Sequence, residues 1–121
     1  MELKDYNGKK IFIIEYDLWR MRVSIDFESY KVKEKIKEMV EFWVEWEDKL
    51  SICNNDYVLT FFRMLGCAVI EQAVNWSTGG IIKYFNNAEG WYPLNGSYGI
   101  TILNVNYWNW KFEEFTVKMI S

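Results

Sequence analysis

Histidine is absent from the 121 residues, proline occurs once and cysteine only twice. Each shortage excludes something. Without imidazole there is no His-based triad, no His general base near neutral pH, and no imidazole ligand for zinc, copper or haem. Cys53 and Cys67 have no second pair, so neither a zinc ribbon nor a secreted disulfide framework can be assembled, and buried free thiols are expected. Long hydrophobic runs are missing too. The most apolar stretch, Val58 to Ile70, is too short to span a bilayer and carries Arg63. The opening Met1-Glu2-Leu3-Lys4-Asp5-Tyr6-Asn7-Gly8 has no apolar signal core, and a reducing cytoplasm is the expected compartment. Nothing reads as a linker or an internal repeat, so residues 1–121 are expected to form one domain.

Half of the residues are hydrophobic and 19% are aromatic. Disordered chains are poor in such residues, whereas a domain of this size should bury about two thirds of its unfolded surface. Seventeen acids stand against fourteen bases, a net charge of −3. That balance argues against a nucleic-acid groove, which needs concentrated basic charge, and it is too weak for a DNA mimic.

The apolar pattern changes period along the chain. Ile11-Phe12-Ile13-Ile14 is short and β-branched, as in a strand. After Tyr16-Asp17-Leu18, a hairpin-sized connection, Trp19, Met21, Val23, Ile25 and Phe27 alternate with polar residues, which predicts a strand with one buried and one wet face. From Lys31 to Leu50 the apolar residues fall three and four apart, predicting one helix with Ser29 as N-cap. A second, more apolar helix is predicted from Asp56 to Asn75, with Arg63 and Glu71 on a narrow outer stripe and Ser77-Thr78-Gly79-Gly80 ending it. Ile81 to Phe85 is ambiguous between a helical turn and an extended piece. Residues 86–99 read as loop, with turns at Glu89-Gly90 and Asn95-Gly96. Two strands follow, over residues 100–107 and 114–120. The first should place Ile100 and Ile102 on one side and Thr101, Leu103, Val105 and Tyr107 on the other. The order ββααββ predicts an α+β, two-layer fold with two helices packed on one face of a mainly antiparallel four-stranded sheet.

The block Glu89-Gly90-Trp91-Tyr92-Pro93-Leu94-Asn95-Gly96-Ser97-Tyr98-Gly99-Ile100 resembles the signature of a small bacterial and prophage-borne domain family of unknown function, E-G-W-P-P-[LM]-[DN]-G-x-x-G-I. Phe42-Trp43 and Glu47-Asp48-Lys49-Leu50 add similarity upstream, and the order of elements agrees over residues 20 to 120. Tyr92 stands where the family has a proline, which loosens the turn. The resemblance implies a compact α+β domain carried on mobile elements; it implies no activity, cofactor or catalytic residue.

Three candidate sites emerge. The 89–99 loop could contact a small ligand through Glu89, Trp91, Asn95 and Ser97, although it lacks the Gly-Lys-Ser/Thr end of a phosphate loop; the alternative is a structural turn that anchors Trp91 and Leu94 on the core. A minor carboxylate-based enzyme using Glu89, with Asp56 or Glu71, is the catalytic version of that reading. The predicted first helix carries Lys31, Lys33, Lys35 and Lys37 before Glu38, Glu41, Glu45, Glu47 and Asp48, an order that opposes the helix macrodipole. Lys33 and Lys35 are therefore candidates for a docking surface, with Lys37–Glu41 and Glu45–Lys49 as local i,i+4 relief. Finally, Tyr107, Trp108 and Trp110 crowd beside Phe112, and exposed Trp and Tyr favour protein interfaces, self-association included. The expectation is a non-catalytic protein-binding factor of a phage or mobile element that modulates a host or defence protein, with no cofactor, no metal and no membrane partner; nucleic acid is disfavoured and a homodimer is an open outcome.

Overall fold

A computed structural model describes residues 3–16, 19–73, 78–106 and 115–120. After a short 3-10 turn at Leu3–Asp5, the elements run β1 (Lys9–Tyr16), β2 (Trp19–Asp26), α1 (Val32–Glu41), α2 (Trp46–Ile52), α3 (Tyr57–Ala73), α4 (Thr78–Phe85), β3 (Ile100–Asn106) and β4 (Thr116–Met119). The fold is α+β, with one four-stranded antiparallel sheet in the order β3-β2-β1-β4.

Alternation builds the sheet's inner face. β1 and β2 pair from Lys9 opposite Asp26 to Tyr16 opposite Trp19, as a hairpin requires; Asp17 and Leu18 lie outside the described residues. Phe12 and Ile14, then Met21, Val23 and Ile25, then Ile100 and Ile102 are all buried. They join a core with Val32, Ile36, Phe61, Phe62, Leu65, Ile81, Phe85 and Leu94. Burying each such side chain contributes about 1.5–3 kcal/mol, the largest favourable term available to the fold. The other face is less wet than the pattern predicts: Ser24 is buried, shadowed by Ile11 and Thr101, its neighbours in register on either side.

A β-bulge corrects the expected alternation of the third strand. The register shifts between Arg22 and Val23, so Ile102 lies opposite Val23 while Val105 lies opposite the buried Met21. The extra residue reverses the parity, and Val105 no longer keeps step with Thr101 and Leu103.

The helices differ more from expectation: among the described residues there are four α-helices, and not two. The predicted helix from Lys31 to Leu50 breaks after Glu41 and restarts at Trp46. Ser29 is not its N-cap; Lys31 occupies that position in a left-handed conformation, with no side-chain cap. Ser29 instead closes a turn, donating its N–H to the Asp26 carbonyl at 3.0 Å. Asp56 does cap α3, its Oδ1 accepting the N–H of Val58 at 2.9 Å and of Leu59 at 3.1 Å. Arg63 is no solvated stripe residue, since its Nε donates to the Phe115 carbonyl, tying α3 to the start of β4. Gly66 lets that approach happen, because a Cβ there would stand 2.7 Å from the Phe115 ring. Thr78-Gly79-Gly80 begins α4 instead of ending α3, and Ile81 and Phe85, one turn apart, are its buried anchors. α3 touches α1, α2, α4, β1 and β4, and is the helix around which the others assemble.

Candidate functional site

The helix break changes the electrostatics. Glu47 and Asp48 fall in the first turn of α2, where the positive end of the helix dipole favours them. Only α1 retains the inverted order, with lysines at its start and Glu38 and Glu41 near its end. Neither i,i+4 pair is the source of relief. Glu41 accepts the hydroxyl of Tyr57 while Lys37 Nζ lies 5.4 Å from the centre of that ring. Glu45 lies before α2 at φ 65, and is exposed.

A matching arrangement occupies the other side of α1, and it comes from the glycine-rich loop. Tyr92 donates its hydroxyl to Glu38 Oε2. Lys35 Nζ lies 5.4, 5.9 and 5.5 Å from the ring centres of Tyr30, Tyr92 and Tyr98, and donates to the Tyr30 carbonyl at 2.8 Å. An ammonium held over three ring faces is attracted by each, about 0.5–1 kcal/mol apiece where exposed. The hydrogen bond to Glu38, followed by burial and the Glu38 charge, raises the pKa of Tyr92 above its ordinary value. Burial, then the Glu41 bond and charge, pushes Tyr57 up to about 12.

Beside this cluster lies a cleft of about 230 Å³, lined by Glu38, Met39, Phe42, Gly90, Trp91 and Tyr92. Its floor is fixed by close packing. Gly90 has φ 87, and a Cβ there would stand 2.5 Å from the Phe42 ring and 2.6 Å from the Trp43 ring. Trp91 then packs its indole against Trp43, Phe61 and Phe85, at ring-centre distances of 6.1, 6.1 and 5.3 Å. Leu94 is fully buried, so both residues anchor the loop on the core. The Tyr92 N–H meets Met39 Sδ at 3.5 Å.

The sequence-derived candidates are thus distributed unevenly. Lys35 and Trp91, taken from separate motifs, meet in one region through Tyr92 and Glu38. Lys33 points elsewhere, its Nζ 3.5 Å from the Lys4 carbonyl. Asn95 Oδ1 accepts the Ser97 N–H at 3.0 Å and the Ser97 hydroxyl at 2.6 Å, so these polar atoms close a local Asx turn. Glu89 is exposed on the loop and does not line the cleft. Asp56 is committed to the α3 N-terminus, and the Glu71 side chain lies outside the described residues, as do Tyr107, Trp108 and Trp110. Among the described residues no group of three or more acids and cysteines is placed to hold a metal, and no helix is long and apolar enough to cross a membrane.

Sequence reasoning missed Tyr30, Phe42 and Tyr98 as surface residues. Tyr30 is 76% exposed, Phe42 48% and Tyr98 38%. Tyr30 directly before a helix start and Phe42 directly after Glu41 were the available signals, since neither fits the buried stripe that includes Val32, Ile36, Met39 and Val40.

No solved structure matches this chain. Two similar proteins come from a phage and a prophage. Protein ea10 of Escherichia phage lambda is 27% identical over 107 residues, covering 80% of this chain and 84% of the relative. A lambda prophage-derived protein ea10 of Escherichia coli O6:H1 matches with the same identity and coverage. Residues 21–117 match the family described as a protein of unknown function, DUF2528, a span that includes α1, the cleft and the glycine-rich loop. The chain belongs to that family, the DUF2528 proteins of unknown function.

Proposed function

We propose that this chain is a cytoplasmic, non-catalytic accessory protein of a phage or other mobile element, which modulates a host or defence protein by binding it. The observation that carries this reading is the joining of α1 and the 89–99 loop into one surface. Tyr30 and Tyr98 flank Lys35 at one end, Tyr92 and Glu38 follow, and the cleft beside Phe42 lies at the other. Exposed aromatic rings on a rigidly packed base are the usual anchors of protein interfaces. The phage and prophage origin of the relatives supports the accessory role.

Stacking on single-stranded nucleic acid competes for the same rings, but it needs a basic track. Here Glu34 stands among the lysines of α1 and Glu38 and Glu41 follow them in the same helix, so a uniformly charged strand would meet repulsion along it. The small-molecule reading has less support: the cleft lacks Glu89 and Asn95, and about 230 Å³ falls below the roughly 300–1,000 Å³ of common ligand pockets.

Reversing the charge of Lys35 would break three intrachain ring contacts, so exposed rings make a cleaner test. The full chain and a Tyr30→Ser/Phe42→Ser variant, both checked for folding by circular dichroism, are used to capture proteins from a host lysate with and without nuclease. A protein retained after nuclease and lost with the variant supports the reading, once binding is reproduced with that protein purified. Capture that disappears with nuclease, or that the variant preserves, overturns it. Light scattering on the free chain shows whether the partner is a second copy.

A further inference from the structure

We infer that the cleft beside Phe42 receives a cationic side chain, an arginine or lysine, from the partner protein. The inference rests on the protein-binding reading and names the chemistry of what is bound.

The lining combines ring faces with a carboxylate. Phe42, Trp91 and Tyr92 supply three aromatic side chains and Glu38 the charge. Glu38 Oε2 is taken by the Tyr92 hydroxyl, while Oε1 has no partner among the described residues. A guanidinium or ammonium entering over the rings would find that oxygen available for a charge-assisted hydrogen bond. The size fits one long side chain better than a cofactor.

The surroundings have the complementary sign. Glu45, Glu47 and Asp48 are exposed around the α1–α2 corner that Phe42 begins, and Glu89 is exposed directly before Gly90. A phosphate or a partner carboxylate would be repelled there, and a basic side chain drawn in. The walls are already set: Gly90 fits tightly against Phe42 and Trp43, and Trp91 is held by three other rings, so little ordering is required on binding.

Lys35 opposes the entry. Lys35 Nζ lies 5.9 Å from the centre of the Tyr92 ring, a resident cation that competes for the same ring. Removing it should strengthen binding, a sign that a purely apolar cleft would not show.

The test titrates the isotopically labelled full chain with N-acetyl-arginine methylamide, the matching glutamate derivative and a short oligo-dT, and follows the Gly90 and Tyr92 amides and the Trp91 indole N–H by NMR. The arginine probe should produce saturable shifts at millimolar concentration, as expected for a ligand of this size. Glu38→Gln should weaken it roughly fivefold, Phe42→Ala should weaken it in a fold that circular dichroism shows intact, and Lys35→Met should tighten it about twofold. No saturable shift at these groups, an unchanged affinity in Glu38→Gln, or a stronger response to the glutamate probe or the oligo-dT overturns the inference. Failure here with a nuclease-resistant, surface-dependent partner leaves the protein-binding reading standing; loss of that partner to nuclease sinks the wider reading, whatever the probe does.

Discussion

Two turning regions meet beside the first helix, and they turn by different means. The loop from Asn86 to Gly99 bends at Gly90, Gly96 and Gly99, with φ of 87, 97 and 91. The corner from Phe42 to Asn55 bends at Glu45, Asn54 and Asn55, with φ of 65, 56 and 62, and contains no glycine. In the loop the backbone of Gly90 lies against the rings of Phe42 and Trp43, so the missing Cβ is a condition of packing. At the corner Glu45, Asn54 and Asn55 are exposed, and only the backbone conformation is costly. The loop is therefore intolerant where it touches the corner, whereas the corner holds strain that a substitution can release.

Gly90→Ala should break the contact between the two regions. Left-handed strain of about 1–2 kcal/mol adds to about 1–3 kcal/mol of overpacking, for a loss near 3 kcal/mol in chemical denaturation. Asn54→Ala, strained but facing solvent, should lose only about 1 kcal/mol. Equal losses would mean that Phe42 and Trp43 give way freely and that the packing argument is wrong.

A tyrosine in the loop and one just past the corner each bond to α1, and alkaline pH should separate them. Tyr57, the first residue of α3 just past the corner, is pushed up to about 12 chiefly by burial, and Tyr92, in the loop, is raised chiefly by its bond to Glu38. A tyrosine whose pKa is higher folded than unfolded contributes stability that is whole below the unfolded value of 10.0 and is lost as pH climbs toward 12. Stability should therefore fall between about pH 10 and 12. Tyr57→Phe should flatten that fall more than Tyr92→Phe, as measured by urea midpoints across the range. Tyr6, also raised to about 12 by burial and by Asp56 and Asp5, contributes a common background to both variants. The reverse order would place the larger proton linkage in the loop.

What the sequence announced and what it hid follow the same division. The hairpin of β1 and β2 is legible because period-two alternation is local, and so is the Asp56 cap, because a carboxylate two and three residues before free N–H groups is a local device. Gly90 and Gly96 are legible as turns, their type alone marking positive φ. The break between α1 and α2 is not. Val40, Trp43, Trp46 and Leu50 keep helical spacing through it, and the residue that turns the chain is Glu45, a helix former. The break answers to a partner about fifty positions away, since Phe42 and Trp43 close on Gly90. α4 is hidden for a similar reason: two glycines near its start look like a stop, and the burial of Ile81 and Phe85 favours it as a helix. The convergence of Lys35 with Tyr92 has no sequence signal, because nothing in either motif specifies that one faces the other.

The loop's own turn offers a smaller test. Asn95→Ala removes the acceptor of the Ser97 N–H and hydroxyl in an exposed turn, and should cost about 1 kcal/mol. The bridge between Asn95 and Thr101 and the Gly96 N–H bond to the Ile100 carbonyl at 3.0 Å are backbone features and should persist. Amide exchange at Gly96 separates the cases: protection that survives the substitution shows the turn is held from the sheet side, and its loss shows that the Asn95 side chain builds it.

The smallest effect has the opposite sign and bears most directly on the contrast between the regions. Glu45→Gly relieves a left-handed conformation worth about 1–2 kcal/mol but frees the unfolded chain by about 0.5–1 kcal/mol, a net gain of roughly 0.5 kcal/mol. Asn55→Gly should gain less, because asparagine enters that conformation at lower cost than glutamate. The Lys49 N–H bond to the Glu45 carbonyl, 3.2 Å, is made by backbone and remains in the variant. If Glu45→Gly instead destabilises the chain, the Glu45 side chain itself supports the corner, and the break between α1 and α2 owes its position to a local contact as well as to the closure of Phe42 and Trp43 on the loop.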